Sequence, residues 1–242
     1  MIVYKPVSDI RAMSFDLDDT LYNNMPYIML AEQYLLTYIA EYYPQAAHIS
    51  KNEWQQFKNA ALEEAPTLKH DMGMLRTVTL TKGFIYAGFN SDEIPDAVSD
   101  CYDVFYQQRS NFTVDEKTSK VLSYLSRKLP LVAITNGNVD CEKIGIDKYF
   151  THVLHAGKDG RMKPSSDMFN KACMLLDIPP ENMLHIGDSL EKDVKGSLDA
   201  GYKSAWFAVN RPMLIKNEMS PVLPHLQLES LDELKLIAKN FN

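Results

Sequence analysis

Asp16-Leu17-Asp18-Asp19-Thr20 closes the apolar stretch Ile10 to Phe15. A strand that runs into aspartates at i and i+2 sets both carboxylates at its carboxyl end and on one face, close together. In an open α/β sheet that end borders the crevice where ligands bind. Two acids side by side where water meets the core do nothing for folding. They make sense if they hold a cation, or if one is a nucleophile while its neighbour handles a proton. The plain alternative is a solvated turn with Asp19 or Thr20 capping a helix. Only matching chemistry at other strand ends separates the two.

Such chemistry recurs three times along the chain. The short run Leu131-Val132-Ala133-Ile134 follows Pro130 and ends in Thr135-Asn136-Gly137-Asn138. Arg161-Met162-Lys163-Pro164-Ser165 sets a lysine immediately before a proline. Met183-Leu184-His185-Ile186 ends in Gly187-Asp188, with Asp193 five residues beyond. Singly these are an ordinary turn, a surface lysine and a helix first-turn acid favoured by the macrodipole. Together, in that order, they are hard to assemble by chance.

The ordered set resembles the four motifs of the haloacid dehalogenase-like hydrolases, matched at Asp16/Asp18, Thr135, Lys163 and Asp188/Asp193. The resemblance runs from residue 10 to the strand near Ala205. Leu131 to Asn138 and Arg161 to Met168 also resemble a narrower bacterial branch. Its members dephosphorylate flavin mononucleotide and 5-amino-6-(5-phospho-D-ribitylamino)uracil.

A length of 242 residues suits one large domain, or a core with a smaller companion. Hydrophobic and charged contents of 45% and 24% are those of a soluble globular protein. The longest apolar runs are strand-length, too short for a bilayer, and the amino terminus lacks a secretory pattern. Cys101, Cys141 and Cys173 are widely spaced, against both a zinc site and a disulfide framework, and they fit a reducing cytoplasm. The net charge of −7, with no basic stripe, disfavours nucleic-acid binding. An acidic protein acting on a phosphate must supply positive charge locally.

Residues 22–109 read as helical throughout. Tyr27, Leu30, Ala31, Tyr34, Leu35, Tyr38, Ile39 and Tyr42 keep helical spacing between Pro26 and Pro44. Ser50 and Glu53 form a capping box for a second helix. Asp71 caps a third that closes near Gly88, and Ser91 caps a fourth. From residue 113 helices and strands alternate: a helix through Val121 and Leu129, a strand at 131–135, a run near Val153, and a helix around Phe169. A strand at 183–186, a helix from Asp193 to Ala200 and a strand at 204–209 follow. Alternation means a parallel sheet with helices on both faces. Residues 210–228, with Pro212, Pro221 and Pro224, read as loop before a last helix from about Leu231. The fold class is α/β, a Rossmann-like core (1–21 and 110–242) carrying an inserted four-helix cap (22–109), the architecture the resemblance also implies.

The resemblance further implies a set of roles. Asp16 is the nucleophile, forming an aspartyl-phosphate that water opens. Asp18 is the general acid and then the base. Thr135 and the backbone amide of Asn136 hold the phosphoryl group, and Lys163 adds positive charge. Mg²⁺ is the implied cofactor, held by Asp16, Asp188 and the Asp18 carbonyl, with Asp193 orienting a water of the ion. The expected partner is a small phosphorylated metabolite. Phosphomutase and dehalogenase activity on the same fold remain open, as does a phospho-accepting signalling module. Arg76, Lys82, Tyr22 and Asn23 have weaker claims on a substrate, and His185 reads as a packed strand residue.

Overall fold

The structure, a computed structural model, describes residues 1–215, 218 and 222–238. Pro221, expected in a loop, lies outside the described residues. Among the described residues seven strands form one sheet: β1 (Ile2–Val3), β2 (Ala12–Phe15), β3 (Leu131–Thr135), β4 (His152–His155), β5 (Met183–Gly187), β6 (Lys203–Trp206) and β7 (Leu226–Gln227). Their order is β1-β7-β6-β5-β2-β3-β4. All neighbours pair parallel except β1 with β7. This is the expected Rossmann-like α/β fold, with one correction: the β6 edge is extended by β7 and an antiparallel β1. Two-residue strands carry no periodicity to read.

β2, β3 and β5 are buried along their whole length. That is why they read as largely apolar runs rather than alternating ones, with Ser14 and His185 as buried polar exceptions. The chain lays β3 and β4 to one side of β2, then crosses to build β5 and β6 on the other. The carboxyl end of β2 therefore lies at the topological switch point, where such sheets bind ligands. Phe15 is in register with Ala133 and Ile186, so Asp16, Thr135 and Gly187-Asp188 emerge along one edge. Met168, Phe169 and Ala172 of α6 (Asp167–Leu176) pack on Ala12, Val132, Ile134 and Met183. Each fully buried large side chain there contributes about 1.5–3 kcal/mol. Asp115 caps α5 (Glu116–Ser126), whose Val121, Leu122 and Leu125 are buried.

The expected helix from Asp193 starts earlier and winds differently. A π-helical turn, Leu190–Lys195, is capped by Ser189 and passes into the short α7, Gly196–Asp199. The carboxylate of Asp193 accepts from the Ser189 amide (3.0 Å), a bond from a side chain back to its own turn that spacing cannot reveal. β6 ends at Trp206, three residues before the expected limit.

The described residues divide into two compact units, Met1–Asn24, Thr113–Gly137 and Cys141–Asn242 in one, Met25–Phe112 with Asn138–Asp140 in the other. The second is helical: α1 (Met25–Tyr42), α2 (Lys51–Glu64), α3 (Met72–Tyr86) and α4 (Ile94–Arg109). Ser50 and Glu53 form the expected capping box, and Asp71 accepts from the Met74 amide. Ser91 does not cap α4; that helix starts at Ile94 with Pro95 in its first turn, where a missing N–H costs nothing. Leu35, Ile39, Phe84, Cys101 and Phe105 lie in its core. Arg76 is tied inside this unit, 2.6 Å from Glu32 and over the Phe105 ring, and Lys82 pairs with Glu64 at 2.7 Å.

Candidate active site

Asp16 leaves β2 as a 7% exposed carboxylate whose amide donates to the Ile186 carbonyl (2.8 Å). Lys163, from the loop before α6, is 1% exposed and reaches it from the side. The lysine Nζ lies 2.7 Å from Asp16 Oδ1 and 2.6 Å from Asp193 Oδ1. Asp193 also accepts from His185 Nε2 at 3.2 Å. A carboxylate only accepts, so the neutral imidazole carries its proton on Nε2, and Nδ1 takes the Ser14 hydroxyl at 2.8 Å. Ser14 and His185 are register partners on β2 and β5, which is what brings them together.

One ammonium between two buried carboxylates cannot satisfy both equally. Burial pushes both up, and the better hydrogen-bonded one keeps its charge. Asp193, with Lys163, His185 and Ser189 as donors, is held well below the usual carboxylate range. Asp16 is pushed well above it by burial, aided by Asp193 and Asp188, against the pull of Lys163. Burial lowers Lys163, but the two acids raise it further, so it stays protonated. Burial takes His185 down to about 4, keeping it neutral.

Thr135 ends β3 with its hydroxyl oxygen accepting from the Gly137 amide (3.0 Å), leaving the hydroxyl proton to donate elsewhere. Asn136 binds the main chain of Lys163 through both ends of its side-chain amide, at 2.7 and 3.0 Å, and so seats the lysine. Asp18 accepts from the Tyr22 hydroxyl at 2.6 Å. A Cβ on Gly137 would come 2.7 Å from Asp18 Oδ2, so the turn after Thr135 runs against that carboxylate. Asp19 has a φ of 61° and forms a turn; its carbonyl accepts from the Val209 amide at 2.9 Å.

Asp188 follows β5 and completes a cluster. One carboxylate oxygen from each of Asp16, Asp188 and Asp193 lies within 4.8 Å of the others. Burial, with help from Asp193, lifts Asp188 to about 6. Three hard oxygen donors, two of them held above their ordinary range by burial and by neighbouring acids, suit a divalent cation such as Mg²⁺. The Asp18 side chain stands outside this cluster.

Glycine is required beside Asp193. A Cβ on Gly187 would sit 2.3 Å from Asp193 Cγ, and one on Gly196 would sit 2.9 Å from Pro164 Cα. Gly187→Ala is expected to lower stability by about 1–3 kcal/mol through overpacking. It should also cut turnover by displacing the carboxylate that holds Lys163. Denaturant unfolding and steady-state kinetics together check both effects; an alanine protein with normal stability and kcat would count against the placement of Asp193.

The seven residues singled out from sequence thus come together at one sheet edge. Ser14, Trp206 and Arg211 also belong to the site although no motif in the chain marks them, and Tyr22 and His185 make closer contacts than their positions in the sequence suggest. Trp206 Nε1 and Arg211 Nη2 both donate to the Asp188 carbonyl (2.7 Å each), and Arg211 Nη1 donates to Asp188 Oδ2 at 2.7 Å. Cross-strand register could have exposed Ser14 with His185; nothing marks Arg211 beforehand.

A profile described as haloacid dehalogenase-like hydrolase matches residues 10–201. The chain belongs to that family. Among similar proteins is the 5-amino-6-(5-phospho-D-ribitylamino)uracil phosphatase YigB of Escherichia coli (strain K12), 36% identical over 97% of this chain and 98% of that protein. The N-acylneuraminate-9-phosphatase of Homo sapiens is 28% identical over 59% of each chain. A 2-haloacid dehalogenase structure from Pseudomonas syringae pv. Tomato DC3000 superposes with a TM-score of 0.88 at 28% identity, covering 94% of this chain and 97% of that one. This haloacid dehalogenase-like hydrolase is therefore an enzyme, of the phosphatase type. Among the described residues no helix is long and apolar enough to cross a membrane.

Proposed function

We propose that the protein is a Mg²⁺-dependent phosphomonoesterase that works through an aspartyl-phosphate on Asp16. The substrate class is ribityl phosphates of the flavin pathway: 5-amino-6-(5-phospho-D-ribitylamino)uracil, or flavin mononucleotide. The observation that carries the mechanism is the meeting of Asp16, Lys163, Asp188 and Asp193 at one strand end, with Asp18 and Thr135 beside them. The substrate class is supported by the 36% identity to YigB over nearly the whole of both chains.

Asp16 Oδ1 is engaged by Lys163, while Oδ2 has a long bond from Thr20 (3.4 Å) and is the oxygen able to reach phosphorus. Its lone pair forms the new P–O bond as the ester P–O bond breaks, and Asp18 delivers a proton to the departing alkoxide. Asp18 then takes a proton from water, whose oxygen attacks phosphorus and releases phosphate and the Asp16 carboxylate. Thr135 and the Asn136 amide hold the phosphoryl oxygens, and Lys163 offsets their charge. Asp16, Asp188 and the Asp18 carbonyl would hold Mg²⁺, which supplies further charge neutralisation at the transferring group. The helical segment, 22–109, is read as the family's cap domain.

The 2-haloacid dehalogenase neighbour supports a second reading, displacement of halide by Asp16. Halide departs without a proton and without Mg²⁺, so Asp18 and the acid cluster would have no purpose. Phosphate release from a panel of phosphorylated metabolites, with and without EDTA, separates the two. The expected result is turnover of both ribityl phosphates that stops on chelation. Halide release from a 2-chloro acid in EDTA, with no phosphate release, would reverse the reading.

A pH dependence belongs to the same experiment. Asp188, raised from 3.8 to about 6, must lose its proton to bind a cation, so the half-saturating Mg²⁺ concentration should climb as pH falls below about 6. Without metal, the folded protein keeps a proton there that the unfolded chain releases. In metal-free protein the Asp188 contribution to stability, read as the difference between wild type and Asp188→Asn, should therefore fall as pH rises from 3.8 to about 6. A half-saturation flat from pH 8 to 5 would show that Asp188 is not a ligand.

A further inference from the structure

Asp188 is held by more donors than a metal ligand on a loop requires. Arg211 Nη1 takes its Oδ2 and Arg211 Nη2 its carbonyl, both at 2.7 Å, and Trp206 Nε1 takes the carbonyl as well. The segment that brings the arginine there is pinned on both sides. The Val209 amide donates to the Asp19 carbonyl, just beyond the nucleophile loop. Met213 packs against Leu190, Val194 and Trp206, its carbonyl accepts from Gln227 Nε2, and its sulfur accepts from the Ala208 amide. A surface ion pair on a free loop would show none of this.

We propose that Arg211 is a positioning residue for Asp188: its fork fixes one carboxylate oxygen and the backbone, and so presents the other oxygen to the divalent cation. This rests on the Mg²⁺ reading given above. The opposing effect is repulsion between guanidinium and cation. Glu218 lies 3.6 Å from Arg211 Nε and offsets that charge, so the geometric effect prevails. Groups that orient a ligand from behind commonly change metal affinity by about 10- to 100-fold.

The test is Mg²⁺ binding to the intact protein by calorimetry at pH 7.5, without substrate, for wild type, Arg211→Gln and Arg211→Lys. Lysine keeps the charge but cannot make the two-pronged contact. The expected result is a Kd raised about tenfold in both variants, with the far-UV circular dichroism of the wild type. Unchanged or tighter binding in Arg211→Gln overturns the proposal, the latter showing that the guanidinium competes with the metal. Wild-type affinity in Arg211→Lys also overturns it, since charge alone would then suffice. A wild-type protein with no Mg²⁺ binding sinks the metal reading itself, and this inference with it. Should Arg211→Gln be unfolded, Trp206→Phe, which deletes one uncharged donor to the same carbonyl, must raise Kd in the same direction.

Discussion

Asp16→Asn is expected to lower kcat by at least about 10,000-fold while leaving the protein folded. An amide oxygen is a poor nucleophile towards phosphorus, and on the proposed mechanism losing the attacking atom removes the covalent route rather than one stabilising contact. The fold should survive for a local reason. Asp16 is buried and pushed well above its ordinary range, so its ionised form burdens the native state at neutral pH. The isosteric amide lifts that burden, and Lys163 keeps Asp193 as its counter-charge at 2.6 Å. The melting temperature should equal or exceed that of the wild type. A folded Asp16→Asn protein retaining a tenth of wild-type turnover would mean that Asp16 is not the attacking group.

The second large effect falls on stability as well as rate. Lys163→Met fills the lysine's volume but leaves the Asp16 and Asp193 carboxylates buried without their cation. Breaking one partner out of a buried ion cluster costs about 3–5 kcal/mol, which for a chain of this size lowers the melting temperature by roughly 10 °C. The pH dependence gives the sign. Without the ammonium both acids bind protons more readily when folded than when unfolded, so the variant gains stability as pH falls through the carboxylate range. In the wild type Asp193 is held low, and its contribution is lost over the same range. The two stability curves should converge towards acid and diverge towards pH 8. Parallel curves would show that Lys163 does not compensate these acids. On the proposed mechanism turnover should fall by about 100-fold or more, because the charge that would offset the phosphoryl group is gone.

Much of this site was legible in the chain because Asp16, Asp18, Thr135, Asn136 and Asp188 sit at or just past the ends of β2, β3 and β5. Strands covered on both faces stand out as apolar runs with abrupt polar ends. What escaped was set by pairing rather than spacing. His185 looked like packing, and it is packed, its ring edge-on to Phe169. Its contacts with Ser14 and Asp193 depend on the β2–β5 register, which no window along the chain contains. Arg211 lies in a stretch without periodicity, and β1 and β7 are two residues each. The π-helical turn at Asp193 and the start of α4 depart from the spacing rules for a shared reason. In both, one local detail (a side chain bonding back to its own turn, a proline at the first turn) outweighs general spacing rules.

The close approach of Gly196 to Pro164, with the Lys163–Asp193 ion pair beside it, makes two segments distant in the chain a single mechanical part. An engineer who randomises 161–165 while freezing 189–196 would sample mostly misfits. Swapped together as one cassette from a related scaffold, the pair should transplant with its internal fit intact.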